Sequence, residues 1–157
     1  MGKGNAGLLS EMLAARGDLL KSLEGLREET AWMRPEPAEW STVEVLQHVA
    51  DVDSLQLRRF DEVQQGKADL SKYDAAEWEG DRTAAERNGL SGIYLRLCAV
   101  RLGALQAVSK LTEADLVKTG RHARYGPMTG RQLVELLIRH DRDHAQQIAK
   151  TRGAVEA

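Results

Sequence analysis

Thr129-Gly130-Arg131-Gln132-Leu133-Val134-Glu135-Leu136-Leu137-Ile138-Arg139-His140-Asp141-Arg142-Asp143-His144-Ala145-Gln146-Gln147-Ile148 is the stretch on which the fold turns. Its first four residues fit the S/T-x-x-E/Q capping box, in which the leading hydroxyl bonds the amide three residues on and the fourth side chain reaches back. Leu133, Leu136/Leu137, His140, His144 and Ile148 then recur at steps of three and four, so they share one helix face. The same opening stands at Ser41-Thr42-Val43-Glu44 and at Thr83-Ala84-Ala85-Glu86. Val45, His48/Val49, Val52, Leu55 and Val63 follow the first; Leu90, Ile93/Tyr94, Leu97, Val100/Arg101, Ala104 and Val108 follow the second. A fourth stripe, Leu8/Leu9, Met12/Leu13, Leu19/Leu20, Leu23 and Leu26, runs out before Pro35 and Pro37, which cannot continue a helix. The pattern predicts helices over 6–33, 42–65, 83–110 and 130–151. At about 1.5 Å per residue these are roughly 33–42 Å long, matched for side-by-side packing. The expected fold is all-α, a four-helix bundle in a single domain spanning 1–157. Its connections 66–82 and 111–128, between helices 2–3 and 3–4, are long enough to be functional loops.

Composition agrees. Alanine and leucine contribute 41 of the 157 residues, against 20 from Ile, Val and Thr, which disfavours a sheet. A net charge of −2 argues against a general electrostatic grip on nucleic acid or an anionic membrane. The single cysteine, Cys98, excludes an internal disulfide and a cysteine-rich zinc site; beside Leu97 on its helix it reads as buried and inert. No apolar run approaches the roughly 18 residues of a membrane span. The first residues lead into an amphipathic pattern rather than a signal core, so the expected location is the cytoplasm. Apolar residues on more than one side of helix one suit a homodimer.

Polar residues inside apolar stripes need a reason. His140 and His144 lie one turn apart and point the same way, with Cβ atoms about 5–6 Å apart. His48 occupies a stripe position on helix two and supplies a third imidazole. Three neutral imidazoles leave at least one coordination position open on a divalent ion, as in catalytic rather than structural zinc sites. Zinc, nickel and iron all suit the set. The competing reading is three hydrogen-bonded core histidines. Two better-known metal motifs fail. His140-Asp141-Arg142-Asp143-His144 lacks the glutamate of HExxH. A ferritin-like di-iron site would need Glu-x-x-His on two helices, whereas here Glu44-x-x-x-His48 is one residue too long.

Trp40-Ser41-Thr42-Val43-Glu44-Val45-Leu46-Gln47-His48, followed far downstream by His140-x-x-x-His144-x-x-Gln147-Ile148, resembles the DinB-like family of bacterial four-helix bundles. The resemblance spans nearly the whole chain and implies a metal triad at His48, His140 and His144. Similar proteins include bacillithiol-dependent S-transferases and the mycothiol-dependent maleylpyruvate isomerase. The resemblance therefore implies a thiol-dependent S-transferase of detoxification type acting on a small molecule, with a low-molecular-weight thiol as cosubstrate. A metal-dependent hydrolase on the same site and a non-catalytic metal-binding bundle are the alternatives.

Several other residues have two readings. Glu44 could accept the free N–H of His48, although its place in the capping box is the reading preferred. Gln147, one turn beyond His144, orients a ligand or bonds across the bundle. Arg121, His122, Arg124 and Tyr125 precede helix four and could hold an anionic substrate near the metal end, and His122 is a conceivable fourth ligand. Asp51, Asp141 and Asp143 lie off the ligand lines and read as solvated helix-face charges. Trp32, Trp40 and Trp78 read as anchors of the bundle's end.

Overall fold

The computed structural model describes residues 5–71 and 82–157. Its elements are α1 (Ala6–Lys21), α2 (Glu28–Ala31), α3 (Thr42–Gln64), α4 (Arg82–Ser109), α5 (Glu113–Leu116), β1 (Thr119–His122), β2 (Gly126–Thr129) and α6 (Gly130–Val155). The four long helices form the bundle: α3 packs on α4 and α6, and α1 packs on α6 and α4. Trp78 lies outside the described residues.

Ser41 and Thr129 cap α3 and α6 as their sequences predict. In each, the hydroxyl accepts from the N3 amide while the Glu44 or Gln132 side chain takes the cap's own N–H. Thr83 does not cap: it lies one residue inside α4, whose backbone breaks at Gly89 with φ +65°. That backbone conformation suits glycine, which has no Cβ to clash. The expected helix over 6–33 is also interrupted. α1 ends at Lys21, Gly25 takes φ +69°, and a single turn of helix follows at α2. The apolar stripe outlives the helix because the turn folds Leu23 back into the core and Leu26 against it. Periodicity over so few residues does not distinguish a helix from a chain that returns to the same surface.

The connection after α4 holds structure that the sequence pattern does not announce. β1 and β2 pair antiparallel, with Thr119 opposite Thr129 and His122 opposite Gly126. Three residues turn the hairpin, and Gly126 closes it at φ +71°. Residues 68–70 run beside β1: the Arg121 amide donates to the Ala68 carbonyl, and the Leu70 amide donates to the Arg121 carbonyl. Gly120 permits this approach, since a Cβ there would stand 2.5 Å from Leu70 Cδ2. The strands are four residues each, too short for alternation to show.

The core is in two parts. One is built around Met12, Phe60, Val63, Leu133 and Leu137; the other around Leu19, Leu46, Val49, Ile93 and Ile148. Between them in sequence, each long helix contributes one buried charged residue to a shared cluster: Arg16 on α1, Asp53 on α3, Arg101 on α4 and Asp141 on α6. Arg16 donates to Asp53 at 2.8 Å and to both oxygens of Asp141 at 3.0 Å. Arg101 donates to both oxygens of Asp53 at 2.9 and 3.1 Å, and to Asp141 at 3.0 Å. Asp141, expected in solvent, is fully buried. It sits about 100° around the helix from His140, and the helix packing turns that direction into the bundle axis rather than away from it. Burial pushes the Asp141 carboxyl upward, and the Arg101 and Arg16 guanidiniums pull it back.

Cys98 is exposed rather than buried. On α4 it lies on the outer side with Leu95 and Leu102, at helical spacings of three and four. Asp51 is half-buried, bonded to Gln47 and paired with Arg96, while Asp143 is exposed as expected. No described helix is long and apolar enough to cross a membrane.

Candidate metal centre

His48 comes from the second turn of the capped helix α3, and His140 and His144 from consecutive turns of α6. Because α3 packs on α6, the three imidazoles meet. His48 Nε2 lies 3.1 Å from His140 Nε2, and His144 Nε2 lies 2.9 Å from the same atom. Among the described residues these three form the group whose ligand atoms all fall within 4.8 Å of one another. His122 is not part of it.

The cluster suits a cation better than it suits itself. An imidazole nitrogen offers one in-plane lone pair or one N–H, so His140 Nε2 can serve one neighbour well but not both. Three lone pairs directed at one ion resolve the conflict. With metal–nitrogen bonds of about 2.0–2.1 Å, nitrogens so spaced subtend roughly 90–100° at the ion. Such angles lie in the range that neighbouring ligands of one ion adopt, so these nitrogens would fit a single cation. The His144 tautomer agrees. His144 Nδ1 donates to the Gln147 amide oxygen at 2.6 Å, which leaves its Nε2 lone pair facing the cluster. A lone pair on His140 Nε2 places the hydrogen on Nδ1, which is buried with no hydrogen-bond partner among the described residues, so a bond to a cation at Nε2 would have to offset that cost.

Protonation is suppressed as well. Burial, with His144 nearby, lowers His48 to about 4. Burial and the neighbouring histidines, helped by Arg101 and Arg16, hold His140 well below its usual value. Burial also lowers His144, although Gln147 and two aspartates oppose it. All three are neutral near pH 7, the form that ligates metal.

The remaining predicted residues divide. Glu44 is a structural residue. It accepts from the Ser41 amide at 2.8 Å and from Arg34 Nε at 2.9 Å, and Arg34 also bonds the Pro37 carbonyl, so the 34–44 connection is pinned. Gln147 orients His144. Trp40 packs its ring 5.0 Å from that of His48, and Trp32 bonds Glu28. Arg121 is exposed on β1 and does not reach the cluster. His122, Arg124 and Tyr125 line a cavity of about 320 Å³ that also touches all three clustered histidines. A second cavity of about 430 Å³, lined by Trp40, Gln147 and Lys150, shares His48 and His144 with the first. The ring of Arg16, Asp53, Arg101 and Asp141, adjoining the cluster through the His140–Asp141 peptide bond, was not expected from the sequence, which reads Asp141 as a solvated charge. The one signal was Arg101 inside an apolar stripe.

Several known proteins share this architecture. YfiT from Bacillus subtilis, described as a probable metal-dependent hydrolase with an unusual four-helix bundle topology, superposes with a TM-score of 0.78 at 15% identity, over 98% of this chain and 90% of that one. TT2238, a four-helix bundle protein, gives 0.70 at 16% identity, over 93% of this chain and 98% of that one. The colibactin self-resistance protein ClbS, solved in complex with double-stranded DNA, gives 0.74 at 13% identity and 95% coverage of both chains. That complex sits poorly with the expectation of no nucleic acid, although likeness at such identity speaks for the fold alone. In sequence, the uncharacterized protein YuaE of Bacillus subtilis is 24% identical over 158 residues, covering 90% of this chain and 95% of its own. The profile of the DinB superfamily matches residues 11–148, which hold both histidine motifs and all four long helices in whole or in part, and the chain belongs to that superfamily.

Proposed function

We propose that His48, His140 and His144 hold one divalent ion, and that the chain is a metal-dependent S-transferase joining a low-molecular-weight thiol to an electrophilic small molecule. The observation that carries this reading is the pair of cavities, about 430 and 320 Å³, that share His48 and His144 as a common wall. Such an arrangement lets two reactants reach the same centre from separate cavities and meet there in a fixed orientation. An ion held by the triad would supply Lewis acidity and lower the pKa of a thiol at its open positions. In the transfer the thiol gives up its proton, its sulfur forms the new bond to carbon, and the leaving group departs with the bonding electrons.

The chain's own residues prepare this. Gln147 fixes the His144 tautomer, and burial keeps the three rings unprotonated. Trp40 and Lys150 offer an apolar wall and a cation on one side of the triad. Zinc, nickel and iron are the candidate ions. The reading carries with it a cytoplasmic location and a homodimer formed through α1, where Leu13 and Leu20 are exposed. Light scattering on the purified protein tests the dimer.

A second reading, hydrolysis at the same centre, is favoured by the likeness to YfiT. One experiment separates the two. The protein is loaded with zinc, nickel or iron and offered a chromogenic aryl halide and an activated ester, each with and without bacillithiol or mycothiol. Conjugate formation that needs both ion and thiol, and that His140→Ala abolishes, supports the transferase. Ester cleavage indifferent to thiol, without conjugation, replaces it with the hydrolase.

A further inference from the structure

The cavity on the hairpin side is not a neutral space. Val52, Leu55 and Leu136 give it an apolar wall, and Arg59, His122 and Arg124 bring basic side chains to the same volume. His122 is only 2% exposed. Its Nδ1 accepts from the Arg124 amide at 3.0 Å and the Tyr125 amide at 3.3 Å, so in the neutral ring the hydrogen sits on Nε2. That Nε2 is buried and finds no acceptor among the described residues. A buried donor without an acceptor is costly and uncommon in native structures, which makes it a marker of a missing ligand.

The hairpin makes the arrangement. Gly126 closes a three-residue turn, and the two amides that bond His122 belong to that turn, so the imidazole and the Arg124 side chain are held by one small unit. Arg124 lies 5.5 Å over the Tyr125 ring, and the Tyr125 ring stands 4.9 Å from that of His122. Arg59 is buried on α3, bonded to Gln56 and to the Ser71 carbonyl. Burial lowers His122 to about 4, and both guanidiniums lie near enough to add to that effect, so the ring is a neutral donor flanked by two cations. Among the described residues, the carboxylate on the cavity wall is that of Asp143, exposed on α6. Arg124, exposed on the hairpin, and the Nε2–H of His122 are then the groups of this wall that an anion can engage.

We propose that this cavity binds the anionic group of the substrate at Arg124 and His122, with the substrate's apolar body against Val52, Leu55 and Leu136. The substrate class is then a small organic anion, a carboxylate or a phosphate monoester carrying a short hydrocarbon or aromatic portion. A volume of about 320 Å³ suits a molecule of metabolite size and not a polymer. The proposal deepens the transferase reading by assigning the cavity opposite Trp40 and Lys150 to the electrophile, and it rests on that reading for the word substrate. The subsite itself is a matter of binding.

The test is therefore a binding measurement on the zinc-loaded protein, with hexanoate, hexyl phosphate and hexanol as probes. The chain has four histidines, so the imidazole NMR signals of His122 can be followed separately from the triad. The expected result is that hexanoate or hexyl phosphate shifts the His122 signal, and the tighter of the two names the anion. Hexanol should bind at least tenfold more weakly, since it lacks the charge that strengthens a bond to a guanidinium. R124Q, a change at an exposed position, should weaken the favoured anion about fivefold or more and leave hexanol unaffected. Equal anion affinity in R124Q and wild type would overturn the proposal, as would binding that leaves His122 unmoved, because the anion would then be sitting on the zinc. Absence of thiol transfer changes none of these outcomes, so the subsite and the catalytic reading fail separately.

Discussion

His140 and Asp141 are consecutive residues that serve two buried polar clusters of opposite character. Asp141 belongs to the ring of Arg16, Asp53, Arg101 and Asp141, two cations and two anions in which each carboxylate is bonded by both guanidiniums. His140 belongs to a cluster of three neutral imidazoles whose nitrogens face one another with too few hydrogens to share. The ring lies between the two halves of the apolar core and draws one residue from every long helix. The triad draws on two helices and borders two cavities. Burial of polar groups is sustainable where partners match in charge and number, and where they do not, the mismatch points to a ligand. The ring balances its own charges, with Arg101 Nη1 the one of its buried atoms left without a partner among the described residues; the triad asks for a cation.

The comparison breaks most visibly if the ring is dispensable. Removing one member leaves a guanidinium pair with half its counter-charge, so Asp53→Ala should destabilise the fold by about 3–5 kcal/mol in a denaturant titration. Replacing all four charges by apolar residues of similar volume should recover most of that loss. A loss below about 1 kcal/mol in Asp53→Ala would show that the ring does not hold the helices in register.

Metal removal should have a smaller effect. Two apolar clusters, between them drawn from all four long helices, hold the bundle together, so chelation should leave the helical circular dichroism intact. It should lower stability only by linkage, about 2.7 kcal/mol when free zinc had been a hundred times its dissociation constant. His140→Ala and His144→Ala should abolish that zinc-dependent shift in Tm, and His122→Ala should preserve it, because His122 stands outside the cluster. Unfolding on chelation would make the triad a structural device like the ring.

Acid should act on the buried histidines, the triad and His122 alike. In the metal-free protein His48 is held at about 4 against an ordinary 6.5, so below pH 6.5 the unfolded chain takes up a proton before the folded one. Stability is full above that pH, falls as pH drops towards 4, and levels off below it. Zinc affinity should fall over the same range, since protons compete for the same lone pairs. Calorimetric scans between pH 7.5 and 4.5 with and without zinc check both slopes. A flat profile would mean that the rings are not buried as neutral bases.

The finest distinction concerns Gln147, which touches His144 and nothing else in the cluster's hydrogen bonding. Gln147→Leu should weaken zinc about tenfold by freeing the His144 tautomer, with little change in the stability of the metal-free fold. Equal zinc binding in the variant would reduce Gln147 to a surface residue of its cavity.

The sequence by itself determined the helical stripes, the starts of α3 and α6, the His140–His144 pair and the place of His48 on its stripe, which the packing of α3 on α6 then brought together. Each of these depends on spacing within one helix or on a helix's own first turn: Ser41 with Glu44, Thr129 with Gln132, His140 with His144, and His48 on an apolar face. Local geometry fixes such relations, because 3.6 residues per turn puts residues three and four apart on one face whatever the rest of the chain does. It does not fix where a helix pauses, so the break at Gly25 and the bend at Gly89 passed as continuous stripe. Nor does it show strands of four residues, so His122 stood in a featureless loop rather than on a hairpin beside the triad. Only the tertiary structure decided the ring. Arg16 and Asp141 are 125 residues apart and Arg101 and Asp53 are 48 apart, and their meeting depends on how far each helix slides and turns against its neighbours. That register is set by the packing of whole helix faces. A charge one position off an apolar stripe reads as solvent-facing until a second helix covers it.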